Sequence, residues 1–296
     1  MAVRPRRSVL YLPGSNPRAL AKAKTLGADA LILDLEDSVA PESKEIARAQ
    51  VAAALREGGF GGREIVVRVN NLVSPWGRDD LAAIAAAGPD AILLPKVDGP
   101  GVIMEAARQL RQSGASDMVR LWAMMETPMA ILHAGAIASA AADPAARLDV
   151  LVMGLNDIAK ETRARFVPGR APMVPLLAAC LMAARAHGVD IIDGVYNDIA
   201  DLAGFRAECE QGRDLGLDGK TLIHPDQIAI CNEVFAPTPH EVDSAGAILA
   251  AFELPENRGK GVLQLNGRMV ELLHAEMARR TLAIADGIAA MSSRAR

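Results

Sequence analysis

Aromatic side chains make up only 3% of this 296-residue chain, and the list ends at two Trp, two Tyr and five Phe. With 51% of residues hydrophobic and alanine abundant, the core must instead be built from aliphatics on a helix-rich frame. Cysteine is equally sparse. Cys180, Cys209 and Cys231 are odd in number, far apart and without a C-x-x-C pair. This excludes a disulfide frame and a thiolate zinc site, and fits reduced thiols. The five histidines never fall at H-x-x-x-H spacing, so zinc is not expected. No block of basic residues interrupts a net charge of -4, which argues against nucleic acid as a partner. No apolar run is long enough to span a membrane. Arg4, Arg6 and Arg7 precede Val9–Leu12, but that apolar stretch is too short for a signal peptide and ends at Pro13-Gly14. A cytoplasmic protein is the expectation, with the length of one large α/β barrel or two ordinary domains.

What the chain does contain is organised around Leu121–Pro128. This short apolar run stops at Glu126, and Pro128 then forbids further ladder bonding and starts a helix. A buried strand that delivers an acid at its carboxyl end is where α/β proteins put chemistry. The pattern repeats at Leu148–Met153, which ends in Gly154-Leu155-Asn156-Asp157. Two strand ends, each offering one carboxylate, make a seat for one hard divalent cation. Either acid alone reads equally well as a helix cap.

The remaining strands follow in order. Ser8–Leu12 leads to a turn in which Asn16 caps a helix with Pro17 at its first position. Arg18 and Lys22 share one face of that helix. Beside a helix N-terminus they could hold a phosphate, or simply decorate a surface helix. Ala30–Leu35 carries Asp34 and ends in Glu36-Asp37, a costly concentration of acid unless paired or bound to a cation; some could cap the Ser43–Arg56 helix. Arg68 interrupts the otherwise apolar strand Glu64–Val69. It needs an anionic partner, either a structural carboxylate or that of a substrate. Ala91–Leu94 ends at Lys96, a snorkelling surface lysine or a second cation over the site. Asp190–Asp193 and Gly219–Ile223 complete the set. Helical stretches near 76–87, 100–112, 128–141, 172–187, 201–215 and 225–235 separate the strands, with apolar residues at three- and four-residue spacing.

Eight strands alternating with helices over residues 1–236 predict a (β/α)8 TIM barrel. An open doubly wound sheet is the alternative, but no G-x-G-x-x-G follows the first strand. The run from Asp214 to Thr221 resembles the end of a phosphate-binding P-loop. It has Asp214 where glycine belongs and leads into a strand, not out of one, which argues against nucleotide hydrolysis there. Residues 237–296 form a C-terminal extension. It is read as a helix to about Glu253, a linker, a strand at Val262–Leu265, a turn at Asn266-Gly267 and an amphipathic helix from about Met269. This extension needs a surface to bury against, on its own barrel or a neighbour's.

The segments RSVLYLPGSNPRALAKA, ADALILDLEDSVAP, VRVNN, DAILLPKV, METP, MGLND, DGVYNDIAD, DGKTLIHPDQI and GKGVLQLNGRMVE occur in order along nearly the whole chain. They resemble the citrate lyase β-subunit-like branch of the HpcH/HpaI aldolase superfamily. That family has TIM barrels, usually assembled as trimers or hexamers, and includes malyl-CoA and citramalyl-CoA lyases and malyl-CoA thioesterase. The resemblance implies Glu126 and Asp157 as Mg2+ ligands. It implies Arg68 as the group holding the keto-acid or hydroxy-acid moiety, Glu36 and Asp37 as acids near metal and substrate, and Arg18 and Lys22 as contacts for CoA phosphates. In the lyases the tail crosses to the next subunit and contributes an aspartate after G-x-M-[IV]. Here Gly267-Arg268-Met269-Val270 is followed by Glu271, one methylene longer. A second departure is Asn156, where many relatives carry glutamate.

The chemistry implied is reversible carbon–carbon cleavage of a short hydroxyacyl-CoA such as malyl-CoA or citramalyl-CoA. A Lewis acid and Arg68 would stabilise the forming carbonyl oxygen, and Glu271 would protonate the thioester enolate. The alternatives are a (3S)-malyl-CoA thioesterase using the same site and a citrate lyase β subunit acting within a complex. A non-catalytic scaffold fits poorly with so many acids at strand ends.

Overall fold

The computed structural model describes residues 3–294. Eight parallel strands close into a barrel in sequence order. The order along the chain is β1 (Ser8–Pro13), α1 (Pro17–Ala23), β2 (Ala30–Asp34), α2 (Lys44–Glu57), β3 (Glu64–Arg68), α3 (Gly77–Ala87), β4 (Ala91–Leu94), α4 (Pro100–Gln112) and β5 (Arg120–Met125). It continues with α5 (Pro128–Leu132), α6 (Ala134–Ser139), β6 (Leu148–Met153), α7 (Leu155–Thr162), α8 (Val174–Ala186), β7 (Asp190–Asp193), α9 (Leu202–Leu215), β8 (Gly219–Leu222) and α10 (Gln227–Val234). The chain divides into two compact units, Arg6–Glu233 and a second made of Val234 onwards with the residues before Arg6. The division thus falls inside α10, a few residues before the Pro-rich joint at Ala236–Pro239.

Side chains alternate across each strand, and the inward set forms one cluster that includes Val9, Ile32, Val66, Leu93, Trp122, Val152 and Ile192. Burial on both faces explains why the strands read as continuous apolar runs. At the amino end of the strands Arg6 is buried against three acids, Glu64, Asp149 and Asp190, each at 2.7 Å, with its guanidinium 5.3 Å from the centre of the Trp122 ring. This arginine belongs to the barrel's floor and not to an exposed basic leader.

Two helical expectations within the barrel need correction. The stretch read as one helix over 128–141 is two short helices broken at His133, whose ψ of 12° ends the first turn set. The Ser43 hydroxyl makes no capping bond to α2, and none of Asp34, Glu36 and Asp37 caps it; a short 3-10 turn at Pro41–Ser43 leads in instead.

In the second unit, α11 (Pro239–Glu253) begins with a capping box between Thr238 and Glu241 and packs against α12 (Leu272–Arg294). Between them β9 (Val262–Leu265) and β10 (Arg268–Glu271) form an antiparallel hairpin. The final helix therefore starts at Leu272, not near Met269. Asn266 and Gly267 both take positive φ, 50° and 78°, the backbone of a tight two-residue hairpin turn. Cross-strand pairing claims Arg268–Glu271 before the helix can. Glu271 closes β10, and its backbone N–H donates to His274 Nδ1 at 2.9 Å.

Candidate active site

Strands β2 to β6 each bring a charged group to the carboxyl mouth of the barrel. Asp34 and Arg68 are register partners on β2 and β3, both continuing the inward-facing set. The guanidinium meets the Asp34 carboxylate through two parallel bonds of 2.7 Å, from Nε to Oδ1 and from Nη2 to Oδ2. Its third nitrogen, Nη1, lies 2.9 Å from Glu36 and 3.4 Å from Asp37. The Tyr11 ring faces the guanidinium at 5.0 Å. The structural-carboxylate reading of Arg68 is thus realised through Asp34, and only the Nη1 edge is turned toward the looser acids. Burial alone would lower the Arg68 pKa, but Asp34 outweighs it and holds the group charged; the same pair keeps Asp34 below the ordinary carboxylate range despite burial.

Glu36 is buried and Asp37 exposed. Burial pushes the Glu36 carboxyl up to about 8, against the pull of Arg68. Its Oε2 is close to Nη1 yet makes no aligned hydrogen bond. The loop carrying both acids is held from below. Asp34 accepts the Glu36 and Ser38 backbone N–H groups, and Lys44 Nζ donates to the carbonyls of Leu35 at 2.9 Å and Glu36 at 2.6 Å. Asn70 Nδ2 donates to the same Leu35 carbonyl at 2.8 Å and to Asp80 at 2.6 Å. Lys44 is the supporting residue that sequence reading misses. At the start of an amphipathic helix it looks like surface, and nothing local signals that it is buried beside the Trp76 ring.

Lys96 resolves toward the second cation over the site. Its backbone sits at φ 51°, strained for a residue with a side chain, and its N–H donates to Glu126 Oε1 at 2.7 Å. Its ammonium stands 2.7 Å from Asp157 and 3.6 Å from Glu126 Oε2. Acids separated by some thirty residues therefore converge on one positive charge. Glu126 is only 1% exposed, and burial raises its pKa against the pull of Lys96. Asp157 reaches the same point from the first turn of α7.

Glu126 Oε2 is buried with no hydrogen-bond partner, an arrangement that costs stability unless a cation completes it. Space beside it is kept by Gly154. A Cβ there would lie 2.4 Å from Glu126 Cβ and 2.9 Å from Oε2. Among the described residues no cluster of three His, Cys, Asp or Glu side chains is arranged as a metal site. Two carboxylates with open positions suit Mg2+, which keeps several waters or substrate oxygens in its shell. The mouth encloses a cavity of about 330 Å3, lined by Tyr11, Asp34, Arg68, Glu126, Asp157 and Thr221 among others.

Of the other residues singled out in the sequence, Arg18 and Lys22 lie exposed on α1, where Asn16 caps the backbone N–H groups of Arg18 and Ala19. Glu271 belongs to the second compact unit. Asn156 forms a reciprocal amide pair with Asn197, with bonds of 3.1 and 2.8 Å.

The chain is 50% identical over 289 residues to a (3S)-malyl-CoA thioesterase of Cereibacter sphaeroides, covering 98% of each chain. It is 35% identical to the citrate lyase subunit beta of Escherichia coli, covering 96% of this chain and 94% of that one. The crystal structure of CitE from Mycobacterium tuberculosis in complex with magnesium, acetoacetate and coenzyme A matches with a TM-score of 0.74 at 27% identity, over 96% of this chain and 99% of that one. The pattern of one family, HpcH/HpaI aldolase/citrate lyase, matches residues 7–225. A closed eight-stranded barrel with acids gathered at its carboxyl mouth and an end-to-end likeness to these relatives agree: the chain belongs to the HpcH/HpaI aldolase/citrate lyase family.

Proposed function

We propose that this protein is a Mg2+-dependent enzyme that hydrolyses a short hydroxyacyl-CoA, (3S)-malyl-CoA, taking up one water and releasing malate and free CoA. The observation that carries the acid-binding half is the convergence of Glu126 and Asp157 on the Lys96 ammonium, in the cavity that Arg68 also lines. What favours hydrolysis over carbon–carbon cleavage is the likeness to the Cereibacter thioesterase across both whole chains.

In this reading Glu126 and Asp157 hold the metal. When bound, Mg2+ supplies a Lewis acid for the oxygens of the hydroxy acid and offsets their charge. Arg68 offers its Nη1 edge to the acid's carboxylate, while Asp34 fixes the plane of the guanidinium so that little freedom is lost on binding. Lys96 balances the remaining negative charge, and Glu36 and Asp37 border the bound acid. Arg18 and Lys22 take the CoA phosphates. Glu271 handles the proton, receiving it from the attacking water and returning it to the CoA sulfur as the carbon–sulfur bond breaks.

The second reading, reversible cleavage to acetyl-CoA and a 2-keto acid, rests on the likeness to citrate lyase subunit beta. One incubation separates the two. Protein, Mg2+ and malyl-CoA should yield free malate and CoA thiol with no glyoxylate. Glyoxylate with acetyl-CoA would establish the lyase instead. Asp157→Ala should abolish turnover with the fold intact by circular dichroism, and retained turnover at added Mg2+ would refute the assigned ligand. Glu271→Gln should lower kcat while leaving Mg2+ affinity unchanged.

A further inference from the structure

A second and larger cavity, about 530 Å3, adjoins the mouth cavity on the side of β7. Leu155 and Val195 line both, and so stand at their shared boundary. That boundary is tightly set. Leu155 packs over Gly194, where a Cβ would come within 2.7 Å of Leu155 Cγ and 3.0 Å of the Met153 carbonyl oxygen. Asn156, on the mouth side, and Asn197, on the far side, clasp the same junction through their paired amides. The far cavity is walled on one side by Phe166, Val167 and the Tyr196 ring, whose hydroxyl donates to Asp201 at 2.7 Å. The rest of the lining includes Arg170, Glu208 and Gln211, which are taken up by one another and by Asp193 and Lys220, so the apolar side is the one left for an alkyl chain.

We infer that the Leu155–Val195 ridge determines substrate size. It confines the acid moiety held at the mouth to a short chain, and the cavity behind it is the space a longer aliphatic acid would enter if the ridge were lowered. The inference rests on the acid-binding reading of the mouth, and it concerns the length of the acid, not the fate of the thioester. A pocket wall of aliphatic side chains discriminates chain length by steric exclusion, and a change of a few methylenes there moves affinity by about ten- to a few hundred-fold.

The test uses the full chain with Mg2+ and two probes, pyruvate and the six-carbon 2-oxohexanoate, titrated calorimetrically. The wild type should bind pyruvate and discriminate against 2-oxohexanoate. Leu155→Ala should shift the ratio of the two affinities toward 2-oxohexanoate by at least about tenfold. Val195→Ala, at a half-buried position less costly to trim, should shift it in the same direction and decides the matter if Leu155→Ala does not fold. Asn197→Ala, which opens the clasp and leaves the ridge side chains in place, should shift it less. A ratio unchanged in folded ridge variants would overturn the inference while leaving the acid site standing. A wild type that binds neither keto acid would overturn the acid-site reading, and the inference with it.

Discussion

Asp34 and Arg68 face each other across neighbouring strands, joined by two 2.7 Å bonds inside the barrel mouth. The same carboxylate accepts the Glu36 and Ser38 backbone N–H groups, so one side chain sets both the guanidinium plane and the path of the loop beyond it. Breaking a buried pair leaves an uncompensated charge, and Asp34→Ala should cost about 3–5 kcal/mol of stability. It should also raise KM for the acyl-CoA, because Arg68 would be free to turn. Arg68→Lys keeps the charge but cannot make two parallel bonds, and should lose most activity with a smaller loss of stability. Thermal denaturation and steady-state kinetics on both variants check this. Unaltered KM in Asp34→Ala would mean that Asp34 does not position Arg68.

Gly154 is required for closeness and not for backbone freedom. Its φ is -104°, open to any residue, but a Cβ there would collide with Glu126. Gly154→Ala should therefore act on the metal and not on the turn. Pushing aside the Glu126 carboxylate should weaken Mg2+ binding by about 10- to 100-fold, the range seen when groups that orient metal ligands are changed. Mn2+ titration followed by electron paramagnetic resonance reads this without any turnover assay. Wild-type affinity in the variant would remove Glu126 from the ligand set.

How much of this was legible in the sequence follows from which interactions are local. The barrel is legible because its strands are buried on both faces and alternate with helical stretches, a pattern that survives in one dimension. The convergence of Glu126 with Asp157 was readable for the same reason. Closing the ring places all strand ends on one rim. The partners of Arg68 were not, since choosing between a structural and a substrate carboxylate depends on the β2–β3 register. Lys44 was invisible because its acceptors are backbone carbonyls, which every residue has. The first strand and the Asn-Gly turn of the hairpin before α12 are legible, but its second strand is not, because helical periodicity and strand pairing compete for Arg268–Glu271.

Glu36 gives a dependence on pH whose sign can be worked out. Burial raises its pKa from 4.5 to about 8 in the folded protein. Between those values the folded state keeps a proton that the unfolded chain has released, so stability falls as pH rises. The contribution is fully present below the unfolded value and is lost as pH passes through the folded one. In Mg2+-free buffer the melting temperature of the wild type should decline from pH 5 to pH 9 relative to Glu36→Gln, whose neutral amide does not titrate. Parallel curves for the two proteins would place Glu36 as an anion held by Arg68 throughout.

Arg18 and Lys22 offer the cleanest separation of binding from chemistry. Both are exposed on a seven-residue helix whose backbone is already capped by Asn16, so neither supports the fold. If they take the CoA phosphates, the double charge reversal Arg18→Glu with Lys22→Glu should leave the melting temperature within about a degree, as expected for exposed positions away from buried contacts. KM for the CoA ester should rise at least about tenfold, the scale of losing charge-assisted hydrogen bonds, with kcat nearly unchanged. Contacts between exposed charges weaken with salt, so the wild-type KM should climb between low and high ionic strength while that of the variant stays flat or falls. A truncated pantetheine thioester, which lacks those phosphates, should show no difference between the two proteins. If it did, the residues would be acting on the acyl end and the phosphate assignment would fail.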